Sequence, residues 1–324
     1  MIEAKYFRRY KDDTVICELC PHYCKIEPEK TGLCRARKNI YGILYSLNYG
    51  QAVSVNVDPI EKKPLYHFFP GDKILSLGPN SCNLKCSFCQ NYTISQTEVG
   101  TTEITPETLL KLTKIHFCNF VAFTYTEPTT WFEYVLDASK FLQENGVKTV
   151  MITNGYINPK PLKELLPYIS AWNIDLKAIH DYFYVKNCSG TLEPVLKTIK
   201  TIAKKSHLEI TNLIIPGEND SGSEIIDLVD FIADINPNIP LHISRYFPSY
   251  KMKKPPTPLK TLYFARDIAQ KKLNYVYLGN IDNENKTFCP SCGKLLVERG
   301  HETVINVING KCPICNTEIY GNFA

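Results

Sequence analysis

Seven short apolar runs, spaced along the chain from residue 73 onward, constrain the fold of this 324-residue sequence more than any other feature. They lie near residues 73–78, 119–126, 149–154, 171–177, 208–215, 240–246 and 274–279. Helix-like stretches with apolar spacings of three and four separate them. Strand and helix in this alternation indicate βαβ units and a parallel sheet. We predict an α/β fold with a (βα)6 partial TIM barrel; an open doubly wound sheet is the alternative.

The stretches between the runs carry helix signals. Thr105 is placed as an N-cap, with Pro106 at the first helical position. Further helices are predicted over 130–144, 159–168, 192–205, 223–235 and 258–272. In either architecture, functional groups are expected at the carboxyl ends of the strands.

Three cysteines follow the first of these strands. Cys82, Cys86 and Cys89 have the spacing C-x3-C-x2-C. Three thiolates can hold three irons of a 4Fe–4S cluster, which normally takes four cysteine ligands. No fourth cysteine is close in sequence, so one iron would keep an open position, as catalytic metal sites do. We predict a cluster that delivers electrons to a bound molecule; a zinc knuckle is the alternative.

Polar residues accompany several later strands. Glu127 follows the second strand, where its carboxylate can bind an ammonium group or stabilise the start of the next helix. Asp175 and Lys177 share one face of the fourth strand, as site residues or as a structural ion pair. His242 shares a face of the sixth strand with Ser244, and it is either a site residue or a satisfied core histidine.

The remaining grouped cysteines predict a metal site at each end of the chain. The carboxyl-terminal group has two C-x2-C pairs separated by nineteen residues: Cys289, Cys292, Cys312 and Cys315. This spacing is typical of a zinc ribbon or rubredoxin knuckle, so structural Zn is favoured over mononuclear Fe. The amino-terminal group is less regular: Cys17, Cys20, Cys24 and Cys34. Zn and an auxiliary 4Fe–4S cluster both remain open there, and His22 is close enough to replace one ligand.

Composition excludes several classes of protein. Hydrophobic residues make up 44% of the chain, but no apolar run reaches the length of a membrane span. The amino terminus lacks the apolar core of a secretory signal, so we expect a cytoplasmic protein without a membrane role. Thirteen cysteines in such a chain favour metal sites over disulfides. The net charge of +4 does not require a nucleic-acid partner.

Several motifs in one order resemble those of the radical SAM enzyme of the AmmeMemoRadiSam system, within the wider activating-enzyme family of pyruvate formate-lyase. They are Cys20-Pro-His-Tyr-Cys24, the stretch 58–69, the cysteine loop, Tyr125-Thr-Glu-Pro128, Asn173-Ile-Asp-Leu-Lys177, the stretch 242–248 and the terminal ribbon. In that superfamily the open iron binds S-adenosylmethionine (SAM), and an aromatic residue precedes the third cysteine. The resemblance implies a radical SAM barrel over 73–280, a cysteine-rich segment over 1–72 and a ribbon-like segment over 281–324.

The resemblance also implies the cofactor contacts. Expected SAM-binding residues are Phe88, Tyr125, Thr126, Glu127, Thr153, Asn154, Asp175, Lys177 and His242. Two departures stand out, because Tyr125-Thr126 replaces a pair of glycines, and Ile152 stands where the activating enzyme has an aspartate beside a cation site.

The expected reaction is reductive cleavage of SAM to a 5′-deoxyadenosyl radical, which removes hydrogen from a small-molecule or protein substrate. The expected partners are a ferredoxin or flavodoxin, a Memo-type protein and an AMME-type protein. Two alternatives remain: an activase for a glycyl radical enzyme, and a non-enzymatic Zn and Fe–S protein that binds nucleic acid or a protein through its ribbon. Few Lys and Arg residues in the ribbon make a nucleic-acid role the weaker choice.

Overall fold

The computed structural model of the chain describes residues 1–282, 286–300 and 302–323. Six short strands near the amino terminus form two small antiparallel sheets, with strand orders β1-β6-β5 and β2-β3-β4. They are β1 (Ile2–Glu3), β2 (Phe7–Arg9), β3 (Val15–Cys17), β4 (Lys25–Ile26), β5 (Arg37–Ile40) and β6 (Ile43–Ser46).

A larger sheet forms the centre of the molecule. Its strands are β7 (Gln51–Pro59), β8 (Lys73–Pro79), β9 (Thr102–Glu103), β10 (Phe120–Phe123), β11 (Lys148–Thr153), β12 (Ala171–Asp175), β13 (His207–Ile214), β14 (Leu241–Arg245) and β15 (Val276–Gly279). Strands β8 and β10 to β15 are parallel and stand side by side in chain order. A doubly wound sheet reverses its strand order, so this order confirms the partial barrel.

Helices cover the outside of the barrel and connect its strands. They are α1 (Tyr92–Ser95), α2 (Pro106–Ile115), α3 (Phe132–Glu144), α4 (Pro159–Leu165), α5 (Asp181–Cys188), α6 (Glu193–Ile202), α7 (Gly222–Ile235) and α8 (Leu259–Ala269). The N-cap is confirmed, because the Thr105 side chain accepts a hydrogen bond from the Thr108 N–H at 3.2 Å. Helix α5 was not among the predicted helices.

One antiparallel strand extends the barrel sheet at the amino-terminal side. Strand β7 pairs along its length with β8, although it precedes the predicted boundary at residue 73. The division into segments at residues 72 and 280 therefore stays a prediction. Across the described ranges, every helix is too short or too polar to cross a lipid bilayer.

The carboxyl-terminal ribbon packs under the barrel. Its strands are β16 (Thr287–Phe288), β17 (Leu295–Arg299) and β18 (Thr303–Ile305). Past the ribbon, the Tyr320 hydroxyl donates a hydrogen bond to the Leu208 carbonyl at 3.1 Å. The Asn322 N–H donates to the His67 carbonyl at 2.8 Å. The tail thereby closes the end of the barrel opposite the strands' carboxyl edge.

Candidate active site

A pocket of about 570 Å³ opens at the carboxyl edge of the parallel strands. This volume lies within the usual range of small-molecule sites. Thiol, carboxylate, ammonium and hydroxyl groups converge on it. The predicted site residues that line it are Cys82, Cys86, Phe88, Cys89, Tyr125, Thr126, Glu127, Thr153, Asn154, Asp175 and Lys177. The structure therefore brings together all of the predicted SAM and cluster residues except His242.

The cysteine loop begins where β8 meets the next strand closely. A β-carbon at Gly78 would lie 2.1 Å from the carbonyl oxygen of Thr124, so only glycine permits this approach. The chain then turns into the loop and carries all three thiols to the pocket wall. The three thiols are free, with no disulfide among them.

Local donors support sulfur ligands in this loop. The Leu84 N–H donates to the Cys82 sulfur at 3.4 Å, and the Ser95 hydroxyl lies 3.3 Å from the Cys89 sulfur. Burial raises the pKa of the Cys82 thiol well above its usual value. A buried thiolate therefore needs a cation beside it, and a metal centre held by these thiols would supply one.

A fourth cysteine lies beside the loop, which the sequence did not reveal. Cys188 ends helix α5, and its thiol lies near that of Cys86 and raises the pKa of Cys86. Backbone bonds join the two segments, since the N–H of Lys85 donates to the Cys188 carbonyl at 2.8 Å. Cys188 is fully buried and is not among the residues lining the pocket, so it buttresses the loop from behind.

Glu127 is held rigidly at the pocket wall. One carboxylate oxygen accepts hydrogen bonds from the Thr129 N–H at 2.9 Å and the Thr153 hydroxyl at 2.7 Å. The other oxygen accepts from the Asn154 N–H at 2.8 Å. Burial nevertheless raises the pKa of Glu127. A carboxylate can accept about four hydrogen bonds, so this side chain keeps acceptor capacity for a ligand.

The loop after β10 is strained where the resembled family has glycine. Tyr125 adopts a left-handed φ of 68°. The Tyr125 hydroxyl donates to the Asp58 carboxylate at 3.0 Å. The same carboxylate accepts a hydrogen bond from the Lys63 ammonium at 2.7 Å. Asp58 and Lys63 line the pocket as well. Both lie in a motif noted in the sequence, but only the pairing of β7 with β8 shows that they belong to this site.

A carboxylate and an ammonium group stand together where β12 ends at the pocket. Lys177 donates to the Asp175 carboxylate at 3.1 Å and lies 5.9 Å from the centre of the Phe88 ring. Burial alone would lower the pKa of Lys177, but Asp175 and the Cys86 sulfur outweigh it and raise that pKa well above its usual value. Lys177 is therefore a fixed cation facing the sulfurs. Ile152 also lines the pocket and adds an apolar side chain beside Thr153.

His242 does not reach this pocket. Its ring nitrogen lies 2.6 Å from the Glu209 carboxylate, and the ring stacks on Tyr277 in the barrel interior. His207 contacts the same carboxylate at 3.0 Å. Ser244, two residues further along β14, does line the pocket. The shared face with Ser244 was predicted, but His242 lies about 7 Å deeper and has the satisfied core environment given as its alternative.

The four carboxyl-terminal cysteines form a compact donor set. The sulfurs of Cys289 and Cys315 are 3.5 Å apart, and those of Cys292 and Cys312 are 3.6 Å apart. All four sulfurs lie within 4.8 Å of one another. Four thiolates around one tetrahedral zinc stand about 3.8 Å apart, given Zn–S bonds of about 2.3 Å. The group therefore fits a single metal ion.

The amino-terminal cysteines share a site of a different shape. Cys17, Cys20, Cys24 and Cys34 line one small cavity between the small β2-β3-β4 sheet and the barrel. His22 lines it too, but its ring nitrogen is engaged with the Asn83 carbonyl at 2.7 Å.

The fold and these sites define a partial-barrel protein that carries free thiols beside a small-molecule pocket. The Radical SAM superfamily matches residues 78–232. An uncharacterized protein of Methanocaldococcus jannaschii is 44% identical over an alignment of 334 positions. The alignment covers 98% of this chain and 99% of that protein.

A pyruvate formate-lyase-activating enzyme of Clostridium pasteurianum is 29% identical over 164 residues, or 48% of this chain and 67% of that enzyme. The structure of Streptococcus suis SuiB bound to S-adenosylmethionine has the same fold, with 20% identity and a TM-score of 0.51, over 68% of this chain and 53% of that one.

Residues 78–232 therefore match the radical SAM superfamily, and the fold is a partial barrel of the radical SAM type. The narrower resemblance to the AmmeMemoRadiSam enzyme stays a prediction.

Proposed function

We propose that this protein is an enzyme that cleaves SAM reductively and uses the resulting radical to remove hydrogen from a substrate. One observation carries the proposal: three free thiols, a buried carboxylate and an acid–base pair face one pocket of about 570 Å³. Cys82, Cys86 and Cys89 would hold the 4Fe–4S cluster and leave one iron open. When bound, the reduced cluster supplies the electron that splits SAM into methionine and a 5′-deoxyadenosyl radical.

The residues of this chain bind and orient SAM. Glu127 accepts hydrogen bonds from the SAM ammonium, since the two groups carry opposite charge. Its protein donors already hold both carboxylate oxygens in position for this contact. Thr153 and Asn154, held by that same carboxylate, present a hydroxyl and an amide beside it. We propose that Asp175 and Lys177, which line the same pocket, bind the ribose and the carboxylate of SAM. The apolar faces of Phe88 and Ile152 help to exclude water from the reacting atoms.

A glycyl radical enzyme activase is a second candidate, because the Clostridium pasteurianum relative is a pyruvate formate-lyase-activating enzyme. In that case the substrate would be a backbone glycine of a large partner. A nucleic-acid role through the ribbon has weaker support. Lys286 forms an ion pair with Glu298 at 2.8 Å, and the Arg299 guanidinium packs over Tyr66, so these two cations do not build a basic face.

The partners follow from the proposed chemistry and the resemblance. Reductive cleavage requires a low-potential one-electron donor, and we propose a ferredoxin or flavodoxin. Memo-type and AMME-type proteins are proposed partners on the resemblance alone.

The test is anaerobic reconstitution with iron and sulfide, followed by EPR of the dithionite-reduced protein with and without SAM. We expect a 4Fe–4S signal that shifts when SAM is added, together with release of 5′-deoxyadenosine. Cys86→Ala should lose both the SAM-dependent shift and the 5′-deoxyadenosine. Cys118→Ala is the matched control, since Cys118 is equally buried but lies beyond α2 with its thiol near the His116 carbonyl. An unshifted spectrum and no 5′-deoxyadenosine would overturn the proposal.

A further inference from the structure

The amino-terminal cysteines surround a space that one metal ion would not need. Cys17, Cys20, Cys24 and Cys34 all line a cavity large enough for a water molecule. The centre of a water-sized sphere lies about 3.2 Å from any sulfur that it touches, whereas a Zn–S bond is only about 2.3 Å long. The cavity is therefore wider than a site for one zinc ion. Gly32 keeps the space open, because a β-carbon there would lie 3.1 Å from Ile26 and 3.7 Å from the Cys24 sulfur.

Sulfur spacing separates the two ends of the chain. Across residues 1–282, 286–300 and 302–323, the carboxyl-terminal cysteines are the one group of three or more potential ligands lying within 4.8 Å of one another. The amino-terminal sulfurs are therefore more widely spread, although they line a common cavity. Four thiolates that bind four different irons stand further apart than four thiolates on one ion. The amino-terminal geometry fits a 4Fe–4S cubane, and the carboxyl-terminal geometry fits a single ion.

A buried cation faces this cavity. Arg37 is 1% exposed and lines the cavity. One of its terminal nitrogens donates to Glu133 at 2.6 Å, while its Nε and other terminal nitrogen have no hydrogen-bond partner among the described residues. Unpaired buried donors of this kind are costly. A cluster with four thiolate ligands carries net negative charge, so its sulfurs are suitable partners for these donors.

The cavity lies directly behind the cysteine loop that carries Cys82, Cys86 and Cys89. Asn83 lines the cavity, while its chain neighbour Cys82 lines the active-site pocket. The His22 ring contacts the Asn83 carbonyl at 2.7 Å, two residues after Cys20. On the outer side Cys20 and Cys24 are partly exposed. A path of covalent bonds and one hydrogen bond thus runs from the partly exposed Cys20, through His22 and Asn83, to Cys82.

We propose that Cys17, Cys20, Cys24 and Cys34 hold a second 4Fe–4S cluster, which passes single electrons to the cluster at Cys82, Cys86 and Cys89. A reduced ferredoxin or flavodoxin gives one electron to the second cluster, taking it from the +2 to the +1 state. That electron then reduces the catalytic cluster and returns the second cluster to +2. All four ligand positions are filled by protein, so this cluster does not bind substrate. The relay rests on the proposed function, whereas the cluster assignment does not.

The assignment is tested in a variant that lacks the catalytic ligands, Cys82→Ala/Cys86→Ala/Cys89→Ala. After reconstitution we expect about four cluster irons per chain and a reduced 4Fe–4S EPR signal that SAM does not shift. Mössbauer spectra distinguish this cluster from mononuclear iron at the carboxyl-terminal site. Zinc without cluster iron in this variant would overturn the assignment, even if the wild type cleaves SAM. If the wild type fails to cleave SAM while this variant holds a cluster, the proposed function fails and the assignment stands.

The relay is tested by comparing two reductants. Dithionite can enter the open pocket, whereas a protein donor cannot, so the ratio of ferredoxin-driven to dithionite-driven SAM cleavage reports on the relay. Cys24→Ala should lose about half of the cluster iron and lower this ratio several-fold. His22→Phe keeps the four thiols but removes the contact with Asn83, so it should keep the iron and still lower the ratio. An unchanged ratio in His22→Phe with full iron would refute a path through His22, and an unchanged ratio in Cys24→Ala would refute the relay.

Discussion

The replacement Glu127→Gln tests whether the buried carboxylate binds SAM or only organises its own loop. The two oxygens of Glu127 accept backbone N–H groups from opposite sides, Thr129 at 2.9 Å and Asn154 at 2.8 Å. Either orientation of a glutamine amide therefore points its NH2 group at another donor. Losing one charge-assisted bond costs about 1.5–3 kcal/mol, partly offset because a neutral amide is cheaper to bury. We expect a loss of roughly 2 kcal/mol in the free energy of unfolding.

The effect on SAM should be separate from this stability loss. Removing a carboxylate–ammonium hydrogen bond costs about 1.5–3 kcal/mol, which corresponds to a Kd about 10- to 150-fold higher. Equilibrium dialysis with SAM on reconstituted protein gives the Kd, and urea unfolding of the same samples gives the stability.

Glu224→Gln is the matched control. Glu224 is also buried near the start of a helix and accepts from the Ile179 N–H at 3.4 Å, but it does not line the pocket. This variant should bind SAM with wild-type affinity. If Glu127→Gln loses stability but binds SAM as tightly as the wild type, Glu127 only caps its helix and our assignment of the ammonium site is wrong.

Three further outcomes are expected. Asp175→Asn removes the anionic partner of Lys177, so the SAM Kd should rise several-fold in equilibrium dialysis; an unchanged Kd would leave the pair structural. Burial lowers the pKa of His67 to about 3, and, against the effect of burial, histidine contacts hold the pKa of Glu209 well below its usual range. Both groups bind more protons when unfolded, so stability should fall from pH 6.5 downward through His67 and from pH 4.5 downward through Glu209. Urea midpoints at pH 7, 5.5 and 4 check this sign, and a flat profile contradicts it. Cys315→Ser should lose the carboxyl-terminal metal and lower the Tm in metal-analysed samples, whereas an unchanged Tm would show that this metal is not structural.

The barrel could be predicted because its determinants are local. Each parallel strand is a short apolar run buried on both faces, and each helix shows its own periodicity and caps, so the order of elements appears in the sequence. The cysteine loop and Glu127 follow strand ends, which places them at one edge of the sheet without knowledge of any long-range contact.

The remaining features depend on contacts between distant segments. Asp58 and Lys63 reach the site because β7 pairs with β8, and Cys188 reaches the loop through a helix with little amphipathic pattern. Alternation along β14 identified the face of His242 but not its depth, since a strand's register against its neighbours is not a local property.

The tail that closes the end of the barrel ties the carboxyl-terminal ribbon to the barrel's buried polar groups. Tyr320 hydrogen-bonds to Leu208, and Asn322 hydrogen-bonds to His67. The His67 N–H in turn donates to the buried Glu209 carboxylate. Removing the tail would open this network to water and leave buried polar groups without partners. A chain expressed without its last forty residues should therefore unfold more readily than one that carries them.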